Sequence, residues 1–402
     1  MNILFLASDY PPHLVGGVGT YTHHFARYLA ARGHRAFVIT RTDQTPCEYE
    51  EEGVRVWRVR HEPAWPFDPV RHRFPRAIER IEYSMAVARQ MRTVLRRFPI
   101  DLVESCESRT EGFWHYAFHR RPALFIKLHT PDRVIFQVNQ ESTSEDAALI
   151  VMLEEWWLRR AHRLIGLTQA MTSTVAGLYR FNAETIPRVR VPVDTDFFAP
   201  DPAAATDRPL QVLYVGRLEF RKGVHVLLRA LPRILQAVPH VHVLLAGENC
   251  GMQPLLDAYR RDPRYQAHIT WCGPLPHEAL RPLYQQSHVC VVPSLFENSP
   301  TVCLEAMSCG CPVVASRTGG IPELVQDGVN GRLVPPGSSV ALAKTVIELL
   351  QDPDQRDRLA KQARADMVAR HAVEPVFNDT IALYERLRAG KNGHVPAERI
   401  PA

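Results

Sequence analysis

Residues 211–223, QVLYVGRLEFRKG, decide the fold. The run QVLYVG is short, apolar and bounded by glycine, which reads as a strand buried on both faces. A helical pattern begins near Lys222, so the residues between form a strand-to-helix loop, and that loop carries Arg217 and Lys222. The same alternation continues downstream. VHVLLAG (241–247), HITWCG (268–273), HVCVVPS (288–294) and PVVAS (312–316) read as strands, separated by helical patterns near 252–261 and 276–286. Strands alternating with helices define a parallel α/β unit of Rossmann type.

The pattern also runs upstream. ILFLA (3–7), a helical stretch over about 20–32 and HRAFVIT (34–40) make a βαβ opening. VRVWRV (54–59), DLVES (101–105), ALFIKL (123–128) and RLIGLT (163–168) follow as strands. Residues 60–75, rich in Pro and Arg, read as an irregular excursion, and 131–147 as a mobile polar loop. Between the halves, DTDFFAPDPAAATDRPL (194–210) has no periodicity and suits a linker. The expected division is therefore 1–193, a linker over 194–210, and 211–371. A helix over 372–390 returns to the first domain, and a disordered tail over 391–402 ends the chain. A chain of 402 residues exceeds one ordinary core, and two domains of about 200 residues fit it.

Composition narrows the partners. Charged residues make up 23% and the net charge is +5, which fits anionic ligands or an anionic membrane surface alike. No basic tail or finger-type Cys/His spacing points to nucleic acid. No apolar stretch is long enough to span a membrane, and the N-terminal run is too short for a signal peptide, so the expected location is cytoplasmic. Eight scattered cysteines, including Cys309-Gly-Cys311, lack the His/Cys company of a metal site.

Ligands of open α/β sheets bind beyond the carboxyl ends of the strands, so the loops after strands hold the candidates. Arg217 and Lys222, beside a helix start, suit a diphosphate. Gly16 and Gly17 allow close backbone approach to an anion, although Gly-Gly-Val-Gly departs from the dinucleotide fingerprint and a tight structural turn is the alternative. His129, directly after ALFIKL, is placed to exchange a hydrogen bond with a sugar hydroxyl. In FENSPTVCLEAMSC (296–309), Glu297 and Glu305 bracket a helix start. Asn298 or Ser299 would cap it with Pro300 at the first helical position, and the amides of Asn298 and Ser299 would face a ligand. Carboxylates grip vicinal diols, so the pair fits a ligand with a sugar at each end and phosphates between. If both lie exposed, Glu-to-Gln changes there leave folding unaltered. Thr318-Gly319-Gly320 precedes another helix start and can shape the wall of the site.

GRLEFRKG, SLFENSPTVCLEAMSCGCPVVASRTGGIPELV and NGRLVPPG together resemble the retaining glycosyltransferases with two Rossmann-like domains facing across a cleft, the GT-B fold of the family 4, group 1 type. The resemblance spans most of residues 1–390. It implies that Arg217 and Lys222 bind the diphosphate, Glu305 the ribose, and Glu297 with the following amides the donor sugar. His129 would contact that sugar near the reaction centre, while Gly16 and Gly17 approach the phosphate and the acceptor side. No divalent metal and no cofactor are implied. The donor is a nucleoside diphosphate sugar, UDP-linked by preference, with GDP or ADP as alternatives. Val191-Pro192-Val193 replaces a glycine turn common at the domain boundary, and FENSPTV differs from the form seen in glycogen synthases, which argues against glucan elongation.

The resulting expectation is sugar transfer to an acceptor hydroxyl on a carbohydrate, a lipid-linked or a small molecule, in surface polysaccharide, glycolipid or small-glycoside synthesis. Peripheral contact with the inner face of the cell membrane is compatible with it. A sugar phosphorylase or nucleotide-sugar epimerase on the same architecture is the enzymatic alternative, and a sugar-binding protein with decayed chemistry the other. Acceptor recognition is expected from 60–75, 107–116 and 131–147, which hold Trp65, Phe67, Arg109, Trp114, His115 and Arg133.

Overall fold

The computed structural model describes residues 1–12, 16–139, 141, 144–201 and 209–390. The chain divides into two compact units, one of residues 1–189 with the segment from 379 onward, the other of residues 190–378. Each is built on its own sheet.

The first sheet has seven strands: β1 (Asn2–Leu6), β2 (Arg35–Arg41), β3 (Cys47–Glu51), β4 (Val54–Val59), β5 (Leu102–Cys106), β6 (Ala123–Leu128) and β7 (Arg163–Gly166). Their order is β3-β4-β2-β1-β5-β6-β7, and every pairing is parallel except β3 with β4. β5 and β6 are almost wholly buried, as central strands covered by helices on both faces must be. β3, CEYEE, is mostly exposed and closes one edge with charge, which blunts an otherwise sticky strand.

Two stretches read as irregular are partly helical. Within 60–75 lie a 3₁₀ turn (Trp65–Phe67) and a short helix (Asp68–Arg71), and a long helix begins at Pro75 and runs to Arg97. The 131–147 region holds a helix over Asp132–Val138 and the start of another, Glu145–Arg160, capped by the Ser144 side chain. Its polar residues are spent on the long helix: Asp132 accepts from both terminal nitrogens of Arg80, and Asp146 accepts from Arg76 at 2.8 Å. Ala77, Phe136, Ala147 and Ile150 close a small apolar cluster beneath these pairs.

A buried ion network fastens the C-terminal helix, Val373–Ala389, into this unit. Lys127 on β6 is 1% exposed and its Nζ lies 2.9 Å from Glu104 Oε1 on β5. The other oxygen of Glu104 accepts from Tyr384 Oη at 2.6 Å, and Lys127 also donates to Tyr21 Oη at 2.6 Å. Burial pushes the Lys127 pKa down, and Glu104 works against that shift.

The second sheet has six parallel strands: β8 (Gln211–Val215), β9 (His242–Ala246), β10 (Ile269–Gly273), β11 (Val289–Val292), β12 (Val313–Ser316) and β13 (Arg332–Val334), in the order β10-β9-β8-β11-β12-β13. Val212, Tyr214, Val243, Leu245, Val289 and Val291 meet Leu227, Leu231, Val346 and Leu349 from the covering helices in one continuous core. The strand order reverses beside β8, which places the loops after β8 and β11 next to each other. The boundary between units falls before residue 190, ahead of the expected linker, whose described first part packs on the second unit. Phe198 is buried, and its carbonyl accepts from Ser308 Oγ at 2.6 Å. The remainder of that stretch, 202–208, and the expected tail lie outside the described residues.

Candidate active site

The loop after β8 and the loop after β11 are stitched together by their backbones. Leu295 N donates to Arg221 O at 2.7 Å, and the loop after β12 joins the second of them where Gly320 N donates to Glu297 O at 3.0 Å. A Cβ at Gly319, where φ is +53°, would stand 1.8 Å from Glu297 O, so the Thr318-Gly319-Gly320 turn can take no side chain there and still support Glu297. The expected wall is a backbone clamp on the acidic loop.

Along the two loops runs a chain of alternating charge. Arg217 Nη2 lies 3.2 Å from Glu219 Oε1, and the same oxygen is 2.9 Å from Arg221 Nη2. Arg221 Nη1 is 3.1 Å from Glu297 Oε1 and donates to Phe296 O at 3.0 Å, and Lys222 Nζ contacts that same Glu297 oxygen. Burial raises the Glu297 pKa, but Lys222 and Arg221 outweigh it and hold the carboxyl below its ordinary value. Glu297 is therefore an ionised, buried carboxylate.

Glu305 sits on the helix Thr301–Ser308 and is also buried. Tyr284 Oη donates to its Oε2 at 2.7 Å, and His277 Nε2 lies 3.8 Å from Oε1. Burial pushes its pKa up, partly offset by His277 and by hydrogen bonds from Tyr284 and Thr301. The two glutamates thus share a helix start but differ electrically. Both are buried, so the condition of exposure under which Gln at either position leaves folding unaltered is not met. The cap also differs from expectation. Pro300, with ψ of 118°, occupies the N-cap itself, so the helix begins at Thr301 and neither Asn298 nor Ser299 caps it. Asn298 is buried and Ser299 half-buried in the loop before the cap.

In the first unit, Gly16 is the N-cap of the helix Gly17–Ala31. A Cβ on Gly16 would lie 2.9 Å from Asp9 Oδ2, and one on Gly19 only 2.3 Å from Asp9 O. Gly16 and Gly19 therefore let the helix start pass against the β1 loop, and among the described residues no other part of the fold lies within 4 Å of a Cβ at Gly17. His129 follows β6, half-buried, with its backbone N–H donating to Glu107 Oε2 at 2.8 Å. Burial and the Lys127 charge push its pKa down to about 3, so the imidazole is neutral near pH 7. Glu107 is fully buried, and burial pushes its pKa up to about 8 against the lowering effect of the His129 backbone N–H. Of the residues expected to read an acceptor, Trp65 is 82% exposed, whereas His115 is buried with its ring bonded to Arg121 O.

Among the described residues, no group of three or more His, Cys, Asp or Glu is placed to hold a metal ion, and all eight cysteines are free. No helix among them is long and apolar enough to cross a membrane.

Comparison with known proteins agrees with this architecture. Residues 198–366 match the family model described as glycosyl transferases group 1, and residues 15–197 that described as glycosyltransferase family 4. Sucrose-phosphate synthase from Thermosynechococcus elongatus superposes with a TM-score of 0.81 at 24% identity, covering 97% of this chain and 100% of that one. Anabaena Alr3699/HepE, solved with UDP and glucose, superposes at 0.73 and 23% identity over 96% of this chain and 100% of that one. These likenesses establish a GT-B fold. Among curated proteins, glycogen synthase of Mycobacterium tuberculosis is 28% identical across 100% of this chain and 98% of its own length. D-inositol 3-phosphate glycosyltransferase of Corynebacterium urealyticum is 28% identical across 96% and 94%.

The molecule is a glycosyltransferase. The chain belongs to the group 1, family 4 type, with one family model matching each half.

Proposed function

We propose that this enzyme transfers a sugar, with retention of configuration, from a nucleoside diphosphate sugar to an acceptor hydroxyl, without a metal ion. The observation that carries the reading is the loop after β8. Arg217 and Lys222 are the outermost cations of a charge chain whose carboxylates are largely withdrawn from solvent, Glu219 at 14% and Glu297 at 9% side-chain exposure, which supports reading them as the partners of a leaving diphosphate. In this reading Glu305, fixed by Tyr284, receives the ribose diol, and Glu297 with the Asn298 and Ser299 amides orients the donor sugar. His129, neutral near pH 7, accepts or donates a hydrogen bond at that sugar, and the Gly16-Gly17 helix start approaches the phosphates and the acceptor.

UDP is the favoured nucleotide, since the neighbouring Anabaena protein was solved with UDP-glucose. Relatives are named for glycogen and for inositol phosphate, so the acceptor class is carried by neither name. Action in the cytoplasm, on polysaccharide, glycolipid or small-glycoside precursors brought to the inner membrane face, completes the proposal. The test is nucleotide release from UDP-, GDP- and ADP-sugars against a panel of glucan, inositol phosphate and lipid-linked acceptors, with the product anomer read by NMR. An inverted anomer, or transfer only to inorganic phosphate, rejects it.

A further inference from the structure

The charge chain has an order that the proposed reaction does not by itself require. It runs Arg217, Glu219, Arg221, Glu297, Lys222. Its ends and its centre differ in exposure. The Arg217 side chain is 55% exposed and Lys222 23%, whereas Arg221 in the middle is 8% exposed. Each end cation shares a single carboxylate oxygen with Arg221: Oε1 of Glu219 on one side, Oε1 of Glu297 on the other. Arg221 is further fixed through its Nη1 to Phe296 O at 3.0 Å, and its own carbonyl accepts from Leu295 N at 2.7 Å.

A phosphate approaching Arg217 and Lys222 competes with Glu219 and Glu297 for them. Were those two cations the sole partners, their departure would leave two poorly hydrated carboxylates unpaired, which is costly. Arg221 removes that cost. Its planar fork reaches both carboxylates at once, a geometry that a lysine cannot reproduce in full.

We infer that Arg221 is a positioning residue: it keeps Glu219 and Glu297 neutralised while Arg217 and Lys222 are handed over to the diphosphate of the nucleotide. The inference rests on the proposed function, which gives those two cations a diphosphate to bind. Arg221 touches no substrate in this scheme. It sets how readily the end cations leave, and it holds Glu297 in place after Lys222 has gone.

The experiment is calorimetric titration of the full chain with whichever of UDP, GDP and ADP the wild type binds best, beside the matching nucleoside measured by competition. Arg221→Gln keeps a donor but removes the charge. It should lose about tenfold or more in diphosphate affinity, the size of one charge-assisted contact, with nucleoside affinity unchanged. Arg221→Lys keeps a cation beside Glu297 but cannot also cover Glu219, so its diphosphate affinity should fall between those of wild type and Arg221→Gln. Adding Glu297→Gln to Arg221→Gln should recover most of the loss, because Lys222 then has no carboxylate to hold it back. A general loss of structure would lower nucleoside and diphosphate affinity together and would show no such recovery. Wild-type diphosphate affinity in Arg221→Gln, alongside a weakened Lys222→Ala, overturns the inference and leaves the diphosphate assignment standing. Undiminished binding in Lys222→Ala overturns the assignment itself. Should Arg221→Gln fail to fold, Arg221→Lys and the double variant still decide: a double variant no tighter than Lys222→Ala rejects the role given to Arg221.

Discussion

Two buried ion networks, one in each unit, use the same residue types to opposite ends. In the first unit, Lys127, Glu104, Tyr384 and Tyr21 form a closed set: the ammonium is 1% exposed, and phenols cover both the cation and the carboxylate. In the second, the chain from Arg217 to Lys222 is sealed at its centre and open at its ends. The closed network has no face to offer a ligand, so its energy goes into holding a helix on a sheet. The open one presents cations at the carboxyl end of β8. Burial of charge therefore does not by itself mark a functional site, and what separates the two cases is whether any member still reaches solvent.

The comparison is broken most forcefully at Lys127. Lys127→Met removes one partner and strands the Glu104 carboxylate, an expected loss of about 3–5 kcal/mol in stability. Urea unfolding measures it, and an unchanged midpoint would mean that the closed network does not fasten the helix. The open network should answer in turnover instead. Arg217→Ala and Lys222→Ala are each expected to lower it roughly 30- to 1000-fold, about 2–4 kcal/mol of transition-state stabilisation, with the melting temperature little changed. A folded double variant with near-normal turnover would remove the distinction.

Glu297 and Glu305 sharpen it on a smaller scale. Glu297 has a lowered pKa, so its contribution to stability is present above its unfolded value of 4.5 and disappears as pH falls through the lower folded value. Glu305 has a raised pKa, so its contribution is full below 4.5 and is lost as pH rises through the higher folded value. Denaturant curves from pH 7 to pH 3 should therefore show wild type losing ground to Glu297→Gln on acidification and gaining on Glu305→Gln. Slopes of the same sign would contradict the electrical difference between the two. In binding, Glu305→Gln should weaken both free nucleotide and donor, whereas Glu297→Gln should spare free nucleotide and lower turnover. The smallest expected effect is that of EDTA, which should leave turnover unaltered; strict dependence on added Mg²⁺ or Mn²⁺ would reject cation-assisted departure of the diphosphate.

Apolar runs made the central strands legible. VRVWRV and ALFIKL coincide with β4 and β6 residue for residue. β3 escaped because CEYEE is an exposed edge with no apolar run, and β13 because three residues carry no period. The polar 131–147 stretch looked like a loop since its carboxylates find their arginines on a helix some 50 to 70 positions earlier, beyond the reach of local pattern. In the site, Glu297 and Glu305 stood out through spacing. Arg221 did not, being one of three basic residues in a short loop whose ranking depends on which one is buried. Tyr284 and His277 meet Glu305 only through the fold.

The helix Val373–Ala389 begins in one unit and ends in the other, and Tyr384 completes the Glu104 network from a position 280 residues away in sequence. During synthesis, then, the first unit emerges from the ribosome long before its last buried phenol has been made. Its sheet must wait, with Lys127 and Glu104 paired but uncovered, while the entire second unit is translated. A chain stopped at residue 189 should accordingly be far more open to protease than the same residues within the full-length protein.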